Sequence, residues 1–414
     1  MRPHTHRSTA GFLLLVLALT AILAACASTA PLPPIPEGAA SVQSIADANN
    51  AFAFDLYSKV AEKPGNIFFS PWSLSTALAM TYEGARTQTQ AEMAQVLHLQ
   101  QDVSVKEAYD ALHTLVGQGG RDYQLSTANA YWADKQYRFL QDYSHLLTTY
   151  YHAQASNVDF ANDLEGSRKK INAWVEDKTR DKITELIREG DLPGATVLVL
   201  TNAVYFKGDW AQQFDKKKTQ QRDFTTPTGT VKVDMMESSG KGAKYNYAEN
   251  DIMQMVELPY KGDDLSMLVI LPKEGTTLAQ VESALPENLA LWRSSLRDQQ
   301  LTLFLPKFEL DERLDNLPIQ LQQLGMRAAF NLDADFSGMD GSKMLQIGNV
   351  LHKAYVKVDE QGTEAAAATA VVVVLKTAII QQTVFEADHP FLFLIQERST
   401  GAILFIGRLE NPAA

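Results

Sequence analysis

Cysteine is almost absent from this chain, which has 414 residues and one cysteine, Cys26. A single cysteine excludes an intramolecular disulfide and any zinc or iron–sulfur site built from several cysteines. Positive charge is also scarce, because 37 Lys and Arg stand against 49 Asp and Glu, for a formal net charge of −12. Nucleic acid is bound by cationic surfaces, so we expect no nucleic-acid partner.

The motifs of common hydrolases and nucleotide-binding enzymes are lacking as well. The sequence contains no G-x-S-x-G, no H-E-x-x-H and no G-x-x-x-x-G-K-[ST]. Its eight histidines are scattered, and His145, His152 and His389 do not have the spacing of metal ligands. Although Ser, His and Asp are all present, nothing arranges them as a catalytic set. We therefore expect a protein that is not an enzyme and that uses no metal and no cofactor.

The sequence has no hydrophobic run long enough to span a membrane, but it has a shorter one near the N-terminus. Residues 1–25 carry Arg2 and Arg7, no acid, and an apolar run at residues 12–23, which is the plan of a secretory signal peptide. Such a run spans only about 18 Å as a helix, short of the roughly 30 Å hydrocarbon core of a bilayer.

The end of this signal resembles a bacterial lipobox. The sequence Leu23-Ala24-Ala25-Cys26 places the cysteine where lipoproteins are acylated and cleaved. We expect an exported protein anchored through Cys26 in the outer membrane or at the cell surface. The alternative is a plain signal peptide and a secreted protein.

A proline-rich segment follows the lipobox. Residues 26–40 contain four prolines, which favour an extended polyproline tether. No linker and no internal repeat divides residues 41–414, so we predict one domain there.

Hydrophobic periodicity predicts a helix-rich first half and a strand-rich second half. Helices are predicted at residues 45–60, 72–82, 88–97, 105–116, 140–150 and 164–187, with a strand at 124–132. Further strands are predicted at 196–206, 230–235, 254–259, 266–271, 301–310, 352–358, 391–396 and 402–409. This order indicates an α+β fold with large, mostly antiparallel β-sheets.

Residues 362–388 are unusual among these strands, because a run of alanines passes into a run of valines. Periodicity alone favours a buried strand or helix. Glu364 and the length of the segment argue against simple burial.

Four motifs in this order resemble the serpin family, over essentially the whole predicted domain. They are NIFFSPWS at residues 66–73, TNAVYFKGDW at 201–210, DEQGTEAAAA at 359–368 and FEADHPFLF at 385–393. The resemblance implies a single-domain serpin fold with an exposed reactive-centre loop at about residues 362–385. It also implies a monomeric inhibitor that a serine protease cleaves as a suicide substrate and that then traps the protease as a covalent acyl complex.

The same resemblance implies which residues form the hinge of that loop. They are Glu360, Gly362, Thr363, Glu364, Ala365, Ala366, Ala367 and Ala368. In an inserted strand alternate residues face opposite sides, so the set that starts at Thr363 faces inward and Glu364 faces outward. The inward set has only small or β-branched residues, which favours inhibition. The alternative is a non-inhibitory serpin or another lipid-anchored binding protein.

The family's usual spacing of sixteen residues from the hinge glutamate leads from Glu360 to Lys376. We therefore predict Lys376-Thr377 as the reactive bond and a trypsin-like protease as the target, because a lysine fits an aspartate-containing specificity pocket. Leu375 is the nearest alternative and implies a chymotrypsin-like target. A cysteine protease is a further alternative, and Lys376 could also serve only to keep an apolar loop soluble.

Two supporting clusters are implied in the same way. Ser70, Ser73, Asn202 and His352 match the family's shutter, whose hydrogen bonds control the opening of the central sheet. Trp210, Lys307 and Glu360 match the breach at the top of that sheet.

Overall fold

A computed structural model of the chain describes residues 37–117, 123–194, 196–363 and 383–413. The predicted signal peptide, Cys26 and residues 364–382 of the predicted loop lie outside these ranges. Ser41–Ala414 forms one compact unit.

The described residues form nine α-helices. These are α1 Glu37–Val60, α2 Pro71–Gly84, α3 Thr87–Val96, α4 Val105–Gly117, α5 Gln141–Tyr150, α6 Leu164–Lys178, α7 Leu278–Ser295, α8 Leu317–Leu324 and α9 Ser337–Asp340. Helix α2 begins where the sequence predicts, because Ser70 caps the backbone N–H of Ser73 and Pro71 occupies the first turn. None of the described helices is both long enough and apolar enough to cross a membrane.

Helix α1 is amphipathic in the way that its sequence indicates. Ile45, Phe52, Leu56 and Val60 form one buried stripe. The helix begins at Glu37, so it includes the last four residues of the segment expected to be a proline-rich tether.

Sixteen strands lie in the described part of the chain. They are β1 Ile67–Phe69, β2 Tyr123–Asp134, β3 Gln154–Val158, β4 Leu198–Asp209, β5 Gln220–Thr226, β6 Gly229–Ser238, β7 Lys244–Glu249, β8 Met253–Pro259, β9 Leu265–Pro272, β10 Arg297–Pro306, β11 Phe308–Leu314, β12 Asn349–Val358, β13 Gly362–Thr363, β14 Thr383–Glu386, β15 Phe391–Glu397 and β16 Ile403–Leu409.

These strands form two sheets, and the α+β fold with mostly antiparallel pairing is confirmed. A ten-stranded sheet has the order β1-β16-β15-β9-β8-β7-β10-β6-β5, with β14 beside β10. A six-stranded sheet has the order β11-β12-β13-β4-β2-β3. Helix α2 contacts β4 of the six-stranded sheet and β16 of the ten-stranded sheet, so it lies in the core between them.

The six-stranded sheet contains a junction between β12 and β4 that we call the seam. Along most of its length the two strands pair directly and in parallel, from Asn349 opposite Val199 to Tyr355 opposite Tyr205. Beyond this stretch they diverge, and the two-residue strand β13 lies between them, antiparallel to both. On the other face of this sheet, α6 packs Ile171 and Val175 against Trp132 and Val199.

Two of the sequence predictions for single elements are wrong. The helix predicted at 164–187 ends at Lys178, because Arg180 and Asp181 adopt left-handed backbone angles that a right-handed helix does not accommodate. Its apolar residues beyond that point still pack into the same cluster as α6, which explains the misleading periodicity. The strand predicted at 301–310 is two strands that belong to different sheets and are separated by Lys307.

Candidate functional site

A row of polar residues crosses the seam. Asn129 on β2 lies opposite Asn202 on β4, and Asn202 lies opposite His352 on β12. Asn202 and His352 are fully buried, so the row places polar side chains in the interior of the molecule.

The hydrogen bonds of His352 fix its tautomer. The backbone N–H of Ser70 donates to His352 Nε2 at 3.0 Å, so Nε2 carries no proton. The other nitrogen, Nδ1, therefore carries the proton and donates to Asn202 Oδ1 across the seam. His352 is completely buried, and this burial lowers its pKa to about 3. The side chain is a neutral link between β12 and β4.

The amide of Asn202 continues this network into α2. Asn202 Nδ2 lies 2.7 Å from the carbonyl oxygen of Ser73 and 2.6 Å from both Ser73 Oγ and Asn129 Oδ1. Ser70 Oγ donates to the carbonyl oxygen of Leu404 on β16, at 2.7 Å. We call Ser70, Ser73, Asn129, Asn202 and His352 the seam cluster. Its hydrogen bonds connect both sheets through the start of α2.

The end of the seam at which β12 and β4 diverge is called its upper end. There, Gly362 and Thr363 form β13. The Thr363 side chain is fully buried, and its hydroxyl lies 2.9 Å from the hydroxyl of Tyr260. Tyr260 in turn stacks on Trp210, with ring centroids 4.7 Å apart. A Cβ atom at position 362 would lie 2.1 Å from the carbonyl oxygen of Gly208, so only glycine fits beside β4.

The residues just before β13 are also held firmly. Glu360 is 5% exposed; its carboxylate pairs with Lys307 at 3.2 Å and accepts a hydrogen bond from Thr219 at 2.7 Å. Burial raises the pKa of this carboxyl, but the hydrogen bonds from Thr219 and Lys307 outweigh burial, so the pKa is lowered overall. Trp210 Nε1 donates to the carbonyl oxygen of Asp359 at 3.0 Å. We call Trp210, Thr219, Tyr260 and Lys307 the hinge anchor.

Comparison with known proteins identifies the fold that carries these two clusters. The sequence model of the family described as Serpin (serine protease inhibitor) matches residues 47–412. The chain belongs to the serpin family. Human Serpin B8 is 41% identical over 90% of this chain and 100% of its own length, and an uncharacterized serpin-like protein of Thermococcus kodakarensis is 40% identical over 89% and 86%. The crystal structure of human thyroxine-binding globulin superposes with a TM-score of 0.81 at 32% identity, covering 90% of this chain and 100% of that one.

Two groups of residues that the sequence predicted each lie together in this serpin. Ser70, Ser73, Asn202 and His352 lie in the seam cluster, and Trp210, Lys307 and Glu360 lie together at the upper end of the seam. The remaining predicted residues lie outside the described ranges: Cys26, Glu364, Ala365, Ala366, Ala367, Ala368, Lys376 and Thr377.

Residues at both ends of the expected reactive-centre loop, 362–385, are strand residues in this serpin. Gly362 and Thr363 were expected in an exposed loop, but they are strand residues inside the six-stranded sheet. The diverging ends of β12 and β4 leave room for them, and Tyr260 supplies a partner for the Thr363 hydroxyl. At the other end, Thr383–Glu386 forms β14 beside β10, so the expected loop residues 383–385 are strand residues as well.

Sequence reasoning missed Asn129, Thr219 and Tyr260. Asn129 left one signal, because it is an amide between two alanines in the predicted strand. Thr219 and Tyr260 are far from the hinge in sequence, and no local pattern connects them with it.

The burial of His352 predicts a dependence of stability on pH. The unfolded chain binds a proton at this histidine below its ordinary pKa of about 6.5, whereas the folded protein binds it only near 3. The contribution of His352 to the free energy of unfolding is therefore complete above pH 6.5. It is lost as the pH falls, by about 2 kcal/mol at pH 5. We expect His352→Gln to flatten the change in the free energy of unfolding between pH 7 and pH 5 by about that amount in urea titrations.

The matched control is His145→Gln, on the exposed face of α5. It should keep the parental pH dependence. If His352→Gln keeps it too, protonation of His352 does not oppose folding.

Proposed function

We propose that this serpin inhibits serine endopeptidases as a suicide substrate whose cleaved loop inserts into the seam. The observation that carries the proposal is the position of β13. Two residues of the hinge already lie between β12 and β4, while the seam below them is closed by direct pairing. A sheet arranged in this way can extend β13 along the seam by separating β12 from β4.

The proposed chemistry begins at Lys376-Thr377. The hydroxyl of the protease serine attacks the Lys376 carbonyl carbon, the C–N bond to Thr377 breaks, and the Thr377 nitrogen leaves as an amine with the proton. The product is an ester between Lys376 and the protease. Normally water hydrolyses this ester and releases the protease.

The length of the loop supports transport of the ester along the sheet. Residues 364–376 would span about 43 Å as a strand. The neighbouring strand β4 has 12 residues, or about 40 Å. Complete insertion would therefore carry Lys376 to the opposite end of the sheet. The attached protease would be pulled against the serpin, and losing even one oxyanion-hole donor slows deacylation by roughly 10²–10³.

The free energy that insertion of the cleaved loop would release is large. Each new strand residue contributes on the order of 0.5–1.5 kcal/mol in hydrogen bonding, so a dozen rival the 5–15 kcal/mol stability of a typical domain. The parallel pairing of β12 with β4 and the bond from His352 to Asn202 must first be broken. These contacts hold the uncleaved protein in a metastable state.

A non-inhibitory serpin is the second candidate function. The similar fold of thyroxine-binding globulin, a serpin solved in complex with thyroxine, supports it as a class. The two candidates differ in one measurable product, because only the inhibitor forms a protease complex that survives SDS.

The reactive bond can be tested with trypsin. Lys376→Ala leaves the aspartate of the protease pocket without a partner, which costs about 3 kcal/mol, so we expect inhibition to slow about 100-fold. The matched variant Lys376→Arg retains a cation and should inhibit at nearly the parental rate. Mass spectrometry of the released fragment should give Thr377 as its first residue. A different first residue would move the bond.

The hinge can be tested separately from the bond. Thr363→Arg would bury a charge beside Tyr260, which costs several kcal/mol without a partner, so β13 should leave the sheet and insertion should slow. We expect this variant to be cleaved by trypsin but to form little SDS-stable complex. Thr230→Arg on the exposed part of β6 is the control and should inhibit normally. Undiminished complex formation by Thr363→Arg would refute insertion at this position.

We further propose that the protein is exported and anchored to a membrane by lipid on Cys26, and the lipobox-like sequence 23–26 supports this. Multiple acyl chains anchor a protein stably, whereas a protein without them is released. We expect Cys26→Ser to move from the membrane fraction to the soluble fraction while inhibition is retained, and Ala27→Ser to stay in the membrane fraction. Equal membrane retention of the two variants would contradict the anchor.

A further inference from the structure

A cleft of about 470 Å³ lies beside the seam cluster, away from the hinge. It is bounded by α2, α4, β2 and α6 and by the residues between α5 and β3. Its volume is in the range of small-molecule sites, and Asn129 of the seam cluster forms part of its lining.

Aromatic side chains supply the walls of this cleft. Trp72 of α2, Tyr151 after α5 and Trp174 of α6 all line it. Trp174 packs edge-on against Trp132, with ring centroids 5.4 Å apart, which holds its indole ring in place. Within the described residues, neither Trp72 nor Trp174 uses its indole N–H in a hydrogen bond. The walls thus offer aromatic faces and unused donors to a flat ring.

The lining of the cleft contains three basic side chains and no carboxylate. Lys178 of α6 lies at its edge, with His113 of α4 and His152 after α5, and no Asp or Glu contributes to the lining. The two imidazole rings are 4.6 Å apart, and His152 bonds to Asp110 at 2.9 Å. Among the described residues, Lys178 pairs only with the adjacent Asp177, at 3.3 Å and in solvent, where such a pair is worth little.

We propose that this cleft is a binding site for an aromatic organic anion, with the ring between Trp72 and Trp174 and the anionic group at Lys178. The aromatic walls would pack against the flat apolar part of the ligand. The Lys178 ammonium, in a lining without carboxylates, would pair with the anionic part. The argument for this site does not rest on protease inhibition, because it uses no residue of the hinge or of the predicted reactive-centre loop.

The test uses 2-naphthoate as the probe and 2-naphthalenemethanol as its uncharged analogue, both measured by isothermal titration calorimetry on the full chain. We expect 2-naphthoate to bind the parent with a Kd below about 1 mM and at least fivefold tighter than the alcohol. Failure of 2-naphthoate to bind at this concentration would overturn the proposal.

Two variants locate the site. Lys178→Met removes the cation at the surface of α6, so it should weaken 2-naphthoate at least fivefold and leave the alcohol within twofold. Lys169→Met on the same helix lies outside the cleft lining and should leave both probes unchanged. Trp174→Ala should weaken both probes. Equal loss of 2-naphthoate binding in Lys178→Met and Lys169→Met, or unchanged binding of both probes in Trp174→Ala, would show that the anion binds elsewhere.

Discussion

The pairing of β12 with β4 is the contact on which the rest of this structure depends. Neighbouring strands lie about 4.8 Å apart, so a strand inserted between these two would double their separation. The bond from His352 to Asn202 cannot stretch over that distance. Opening the seam therefore breaks it completely, and leaves a buried donor and a buried acceptor without partners until a new strand arrives. A contact of this kind makes opening cooperative rather than gradual.

The seam cluster is well suited to that role because none of its buried side-chain polar atoms lacks a hydrogen-bond partner while the seam is closed. A satisfied buried polar network is rigid, whereas a partly satisfied one is costly. The proton on His352 Nδ1 is fixed by the Ser70 N–H at Nε2, so the direction of each bond is determined by its neighbour. Since burial keeps the pKa of His352 far below neutrality, the network does not change its protonation under ordinary conditions.

The sequence predicts the architecture well because its ordered motifs carry specific contacts. Ser70-Pro71 begins a helix by local rules of capping, and the apolar stripe of α1 reflects the core directly. The end of α6 escapes such rules, because buried residues beyond Lys178 continue its periodicity while the backbone turns. The position of Thr363 inside the sheet depends on Tyr260, about a hundred residues earlier, and on the divergence of two strands. Local sequence holds no information about either.

The hinge also explains where insertion would meet its barrier. Bringing a free loop end to a sheet costs loop-closure entropy, but Gly362 and Thr363 are already in place and Glu360 is fixed by Lys307 and Thr219. In the proposed mechanism the first step of strand growth is therefore complete before cleavage. What resists further growth is the direct pairing that begins at Tyr355 opposite Tyr205, with the seam cluster behind it. If the protein acts as proposed, the speed of insertion is accordingly governed by how easily the seam opens.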